Sequence, residues 1–190
     1  MKIGEQIGRF RKARGLTAAQ LAERCTELGL PISRSKIANM ENGRARQEGI
    51  SVAEVSIIAA ALDVPPILLI YPVGREETTE VLPSQEIPSW SAAQWFSAEK
   101  PLPTKVNGEY VVSSDAYDAW QPAAAPVTYH QEQDKLVRAW NWQSNEPSFK
   151  ALISEVEKEI GVLRRSMRRA GIRPGDLPNN LRHVDEEASQ

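Results

Sequence analysis

The residues best equipped for chemistry lie together, in the run Ser33-Arg34-Ser35-Lys36-Ile37-Ala38-Asn39-Met40-Glu41-Asn42. At helical spacing, Ser35, Ala38, Asn39 and Asn42 share one face, while Ser33, Ile37, Met40 and Glu41 share the opposite one. The first face is small and polar, with Arg34 and Lys36 on its flanks. Such a face suits entry into a major groove, where Arg can reach guanine and Asn adenine. The plainer alternative is a surface helix with a solvated face. The start of this helix favours the first reading. Ser33 is a good N-cap, yet the first turn holds Arg34 and Lys36, and a helix N-terminus carries about half a positive charge of its own. The third position prefers Glu, and this helix has Lys36. A polyanion docking there would turn that penalty into an attraction.

On the opposite face sits Glu41, turned toward the core. Arg11 continues the apolar series Ile3, Ile7 on an earlier helix, so the two charges meet the same interior. The expected outcome is a structural ion pair joining the two helices, with no catalytic part for Glu41.

The elements that must hold these residues have clear start and stop signals. Gly15 follows Ile3, Ile7 and Phe10 and suits the left-handed end of a helix. Thr17-Ala18-Ala19-Gln20 and Ser51-Val52-Ala53-Glu54 are capping boxes. Leu16 with Leu21, Ile32 with Ile37, and Ile50 with Val55 form three hydrophobic staples around the caps.

Taken together, Leu16-Thr17-Ala18-Ala19-Gln20-Leu21-Ala22, Ser33 to Gly43 with its Ser-x-x-x-Ile-x-x-Met-Glu-Asn-Gly core, and Leu62-Asp63-Val64 resemble the Cro/CI-type (xenobiotic-response-element) helix-turn-helix transcriptional regulators. The resemblance covers about residues 3–71. It implies a five-helix, lambda-repressor-like DNA-binding domain whose recognition helix is Ser33–Asn42, bound to double-stranded DNA and regulating transcription as repressors of this family do. By position it assigns base reading to Arg34, Ser35 and Asn39 and a phosphate contact to Arg44, and it pairs Arg11 with Glu41. Two departures stand out. Ala18 occupies a position where many members carry a polar phosphate contact. The stretch Cys25 to Ile32 is longer than the usual connection, and reads as an extra helical turn ended by Gly29.

Charge and proline divide the rest. Residues 1–50 carry ten Lys/Arg against five Glu, a surplus of +5; residues 51–150 carry −7 and residues 151–190 balance, so the overall −2 conceals a basic head. That asymmetry points to a polyanion partner. Three segments are expected: a helix-turn-helix domain at 1–72, a Pro/Trp-rich middle of uncertain fold at 73–147, and an amphipathic helix with a frayed tail at 148–190. The fold class is mainly α.

In the last segment, Pro147 suits a first helical turn. Phe149, Ile153, Val156, Ile160, Leu163, Met167 and Ala170 then step by fours and threes, an a/d seam. This predicts a homodimer through Ile153, Val156, Ile160, Leu163 and Met167, with Glu159 facing Arg164 of a parallel copy. The alternative is a helix packed on its own chain. The arginines from Arg164 to Arg173 suit the helix's negative end, and His183–Gln190 reads as frayed. The middle holds all five tryptophans and so is no simple disordered linker. Within it, 92–96 and 129–142 read as helix and 110–112 as one strand. Its aromatics suit internal packing, a small-molecule effector pocket or a protein-partner surface.

Other classes have little support. His130 and His183 are far apart with no ligand set nearby, so neither a metal nor a cofactor is expected. No phosphate loop or activated nucleophile pattern occurs, so no enzyme is expected. Cys25, the single cysteine, fits a reducing compartment. Glu5 interrupts any leader-like apolar run, and Asp63, Pro65 and Pro66 break the most apolar stretch, so no membrane contact is expected. The expected location is cytoplasmic and nucleoid-associated. The rival reading is a protein-interaction module, an antitoxin or adaptor, that uses the helix-turn-helix as scaffold and the Trp-rich middle as partner site.

Overall fold

The computed structural model describes residues 3–44, 49–143 and 150–187. Pro147 and Phe149 of the expectations above lie outside the described residues. Two compact units divide at Ser113/Ser114. The middle segment is therefore shared between them: 73–113 belongs to the first unit and 114–143 to the second.

In the first unit, α1 (Ile3–Ala13), α2 (Ala18–Glu27), α3 (Arg34–Glu41), α4 (Val52–Ala61) and α5 (Pro66–Ile70) surround one core. Ile7, Leu21, Ile37, Ile58, Leu62 and Leu69 are completely buried there. All three staples feed it, Leu16 and Ile50 half-buried and their partners within the core proper. Both capping boxes form, Thr17 with Gln20 and Ser51 with Glu54. Gly29, at φ +96°, ends the lengthened α2. Its N–H donates to Thr26 O (3.0 Å) and that of Leu30 to Cys25 O (3.1 Å), the paired bonds of a Schellman end. Asp63 closes α4 in the same way with φ +52°, and two cations meet the carbonyls there: Arg24 Nη1 on Ala61 O at 3.2 Å and Arg14 Nη2 on Asp63 O at 3.0 Å.

A second, smaller core follows. β1 (Thr78–Leu82) and β2 (Gln85–Pro88) form an antiparallel hairpin with Thr79 opposite Ile87. This hairpin and α6 (Ser89–Phe96) pack Ile87, Ala92 and Ala93 against Tyr71. Tyr71 meets Phe96 edge-on, ring centres 5.7 Å apart. β3 (Thr104–Val106) and β4 (Glu109–Val111) make a second hairpin. Its Asn107-Gly108 turn has both residues at positive φ, as a two-residue hairpin turn requires. The single expected strand is thus one of four among the described residues.

The second unit is built on α7 (Ser114–Gln143) and α8 (Lys150–Arg169). α7 runs through Pro122 and Pro126 and starts well before the Tyr129 read from sequence. Interior prolines break isolated helices; here the helix continues past both, with Pro122 and Pro126 exposed and Ala124 buried between them. Leu136, Val137 and Trp140 of α7 enclose Ile153, Val156 and Ile160 of α8. Ile160 and Met167 are completely buried within the chain, and Leu163 is half-buried. The a/d face of α8 is therefore covered by its own chain, because α7 supplies an apolar partner.

Two further expectations are corrected here. Residues 183–187 are not frayed: they form α9 (His183–Glu187), which docks Val184 beside Leu177 and Leu181 on the same core. Arg164, expected to face Glu159 of a second copy, is turned into its own chain. It is 4% exposed, and it donates to Asp185 through Nε (2.8 Å) and Nη2 (2.7 Å) and to Gln133 Oε1 (2.5 Å) and Gly175 O (2.6 Å) through Nη1. Four of the five N–H groups of this guanidinium thus donate to acceptors of its own chain.

Candidate nucleic-acid interface

The polar face of α3 is assembled from below. Ile37 and Met40 anchor the helix in the core at 0% and 1% exposure. This leaves Arg34, Ser35 and Asn39 exposed on the outer side, with Asn42 exposed at the C-cap. Ser33 caps the start with φ −67° and ψ 150°, accepting from the Lys36 N–H at 3.1 Å. Its hydroxyl also lies 2.9 Å from that of Ser35. Gly43, at φ +67°, turns the chain away from the helix, and Arg44 is exposed just beyond it.

α3 is locked to α1 by both shape and charge. A Cβ on Gly4 would lie 1.8 Å from the Met40 carbonyl oxygen, and one on Gly8 would lie 3.3 Å from Glu41 Oε2. The two helices can approach this closely only because α1 has no side chains at those positions. One turn on, Arg11 grips Glu41 with two bonds of 2.6 Å, Nε to Oε1 and Nη2 to Oε2, and its Nη1 donates to Leu16 O at 2.6 Å. Both side chains are 13% exposed. The bond to Glu41 raises the pKa of Arg11 against the opposing effect of burial. Sequence placed this pair correctly on facing helix sides, but not the two glycines that let the helices meet.

Lys36 has a partner that spacing did not reveal. Its Nζ is 2.5 Å from Glu54 Oε1, and Glu54 also caps α4 by accepting from the Ser51 N–H at 2.9 Å. Burial pushes the Glu54 carboxyl upward, but bonds from Lys36 and Ser51 outweigh it and hold the pKa below its ordinary value. One carboxylate thus serves a helix start and compensates the cation that the first turn of α3 carries. Glu54 was legible as a capping residue only; its second partner lies on another helix.

Residues 2–69 match a family model described as a helix-turn-helix domain, within the Cro/CI group. This segment is a helix-turn-helix domain. Its match ends within α5, so the hairpins, α6 and the entire second unit lie beyond it. No curated protein and no solved structure matches the chain. Within the helix-turn-helix domain, α2 and α3 are the second and third of five helices. The structure brings Arg34, Ser35, Asn39 and Asn42 onto one exposed surface, sets Arg44 beside its end and draws Lys36 toward α4. Among the described residues, no helix is long and apolar enough to cross a membrane.

Proposed function

We propose that this chain is a sequence-specific DNA-binding transcriptional regulator that lays α3 in the major groove, acting as a pair of copies. The observation that carries this reading is the exposed set Arg34, Ser35, Asn39 and Asn42 on a helix anchored in the core by Ile37 and Met40. Arg34 and Asn39 have the donor and acceptor patterns for purine edges, and Arg44 is placed for a phosphate. The Arg11–Glu41 lock holds the orientation that such readout needs. Two copies would each read one half-site.

The test is anisotropy with genomic fragments selected for binding, across a salt series. Arg34→Ala with Asn39→Ala is expected to weaken specific binding by about 2–6 kcal/mol, as two base contacts at roughly 1–3 kcal/mol each imply. Binding that ignores this double change, or that shows no loss with salt, rules out groove docking.

A second reading is favoured by one observation. Trp90 and Phe96 of α6 are 57% and 53% exposed, which suits a protein-partner surface of an antitoxin or adaptor. A stoichiometric partner lost on Trp90→Ala, together with absent DNA selection, would favour it.

A further inference from the structure

The outer face of α8 carries a pattern the buried seam does not explain. Val162 is 54% exposed at the middle of the helix. Three residues before and after it stand Glu159 and Arg165; seven before and after stand Glu155 and Arg169. By helical geometry these offsets lie within about 60° and 20° of the Val162 direction, so all five share one face. Glu155, Glu159 and Arg169 are exposed and Arg165 is partly so. On one side of Val162 runs a groove between α7 and α8, with Leu136 and Leu163 among its apolar lining.

We propose that this face binds a second copy of itself, with the two α8 helices antiparallel and the two-fold axis at Val162. The commitment to antiparallel self-pairing comes from charge. A two-fold axis there brings each residue level with its mirror position in the partner. Glu159 then comes level with Arg165 of the second copy and Glu155 with Arg169, each twice, around a contact of Val162 with its equivalent. A parallel pair would instead set Glu155 against Glu155 and Arg169 against Arg169. Arg164, the cation a parallel coiled coil would use, is withdrawn to Asp185 and stays there. Lys158 comes level with Ser166, so it meets no opposing carboxylate, and the acidic residues carry the attraction. The pairing proposed above for DNA binding rests on this surface, while DNA contact by α3 does not.

Sedimentation equilibrium of the full chain tests it. The wild type is expected to be a dimer. Val162→Glu, and separately Glu155→Arg with Glu159→Arg, are expected to weaken dimerisation at least about tenfold with unchanged circular dichroism, since buried like charges oppose association strongly. Adding Arg165→Glu and Arg169→Glu to the second variant should restore the dimer. Direction is read by oxidative cross-linking, with Cys25 fully buried and out of reach. Val162→Cys should cross-link to itself, Glu155→Cys should not, and Glu155→Cys mixed with Arg169→Cys should. A dimer that keeps its affinity in Val162→Glu, or a self-cross-link at Glu155→Cys, overturns this surface and leaves pairing by another face. A wild-type monomer overturns both this surface and the paired reading, while DNA binding by α3 is judged separately by anisotropy.

Discussion

Two arginines in this molecule do the same job in different settings. Arg11 joins α1 to α3 through Glu41, and Arg164 joins α8 to α9 through Asp185, each with a two-pronged grip. The first pair lies under α3, the helix proposed to meet DNA, between two helices packed on a large core. The second holds a short terminal helix on a small core, and its guanidinium is the more buried, with side-chain exposure of 5% against 13%. A buried arginine says that two segments are pinned together; what the pin is for depends on the segments it joins. At Arg11 it fixes the helix proposed to read DNA. At Arg164 it closes the end of the chain over Trp140, Ile160 and Leu181.

The largest effect is expected at the second pin. Asp185→Ala strands the more buried guanidinium, which keeps only Gln133 and the Gly175 carbonyl, and should cost about 3 kcal/mol. Chemical denaturation of the second unit should show it, as a lower midpoint or a separate early transition. Adding Arg164→Met should recover most of the loss, because an apolar side chain leaves no charge unpaired. If the double variant is no more stable than the single one, the pair is not what holds α9.

Glu41→Ala is expected to cost less, about 2 kcal/mol, because Arg11 at 13% exposure has a shorter way to water. Its functional effect should be larger. DNA affinity should fall even at temperatures where the domain stays folded, since α3 loses the contact that sets its tilt. Asp185→Ala should leave DNA contact by a single helix-turn-helix domain unchanged. The two variants thus separate a pin that serves the site from one that serves the fold.

How legible each pin was follows from what surrounds it. Arg11 and Glu41 stand on helices with strong periodicity, so spacing alone placed both on inward faces. Arg164 stands on a helix just as periodic, yet it was assigned to a partner chain. Its acceptor, Asp185, lies past Pro174, Gly175 and Pro178, and the return of that segment onto α8 leaves no periodic trace. The same lack of a periodic trace holds for the early part of α7, which stays helical through the exposed Pro122 and Pro126. It does not explain β3–β4. There Asn107-Gly108 is a strong local hairpin signal, and only the strand after it was read.

Acid should distinguish the units at smaller amplitude. Asp185 is held below its ordinary value of 3.8 mainly by hydrogen bonds from Arg164, against burial, and Glu54 is held below 4.5. A carboxylate with a depressed folded pKa lends stability above its unfolded value and loses it as pH falls through the folded one. Both units should therefore weaken below about pH 4, where such groups protonate. Asp185→Asn should flatten the profile of the second unit only, read as the difference in midpoint between neutral and acid pH. Equal flattening in both units would show that they do not unfold separately.

The smallest effect is expected at Lys36, and it tests whether the first turn of α3 is built for DNA or balanced from within. Its side chain is 39% exposed and that of its partner Glu54 13%, so the lysine end of the pair is screened by solvent. Lys36→Ala should change stability by less than about 1 kcal/mol. Glu54 keeps its bonds to Ser51, so the α4 cap survives the change. For DNA the two accounts diverge. A lysine that contacts phosphate would, when removed, lower the salt slope by about one and weaken all sequences alike. A lysine already neutralised by Glu54 leaves the slope nearly unchanged, and this is the expected result. Arg34→Ala should then alter sequence preference where Lys36→Ala does not, because only the guanidinium stands on the outer face. If Lys36→Ala shifts the slope by a full unit, Glu54 releases the ammonium on binding, and the cap of α4 is coupled to DNA through that one carboxylate.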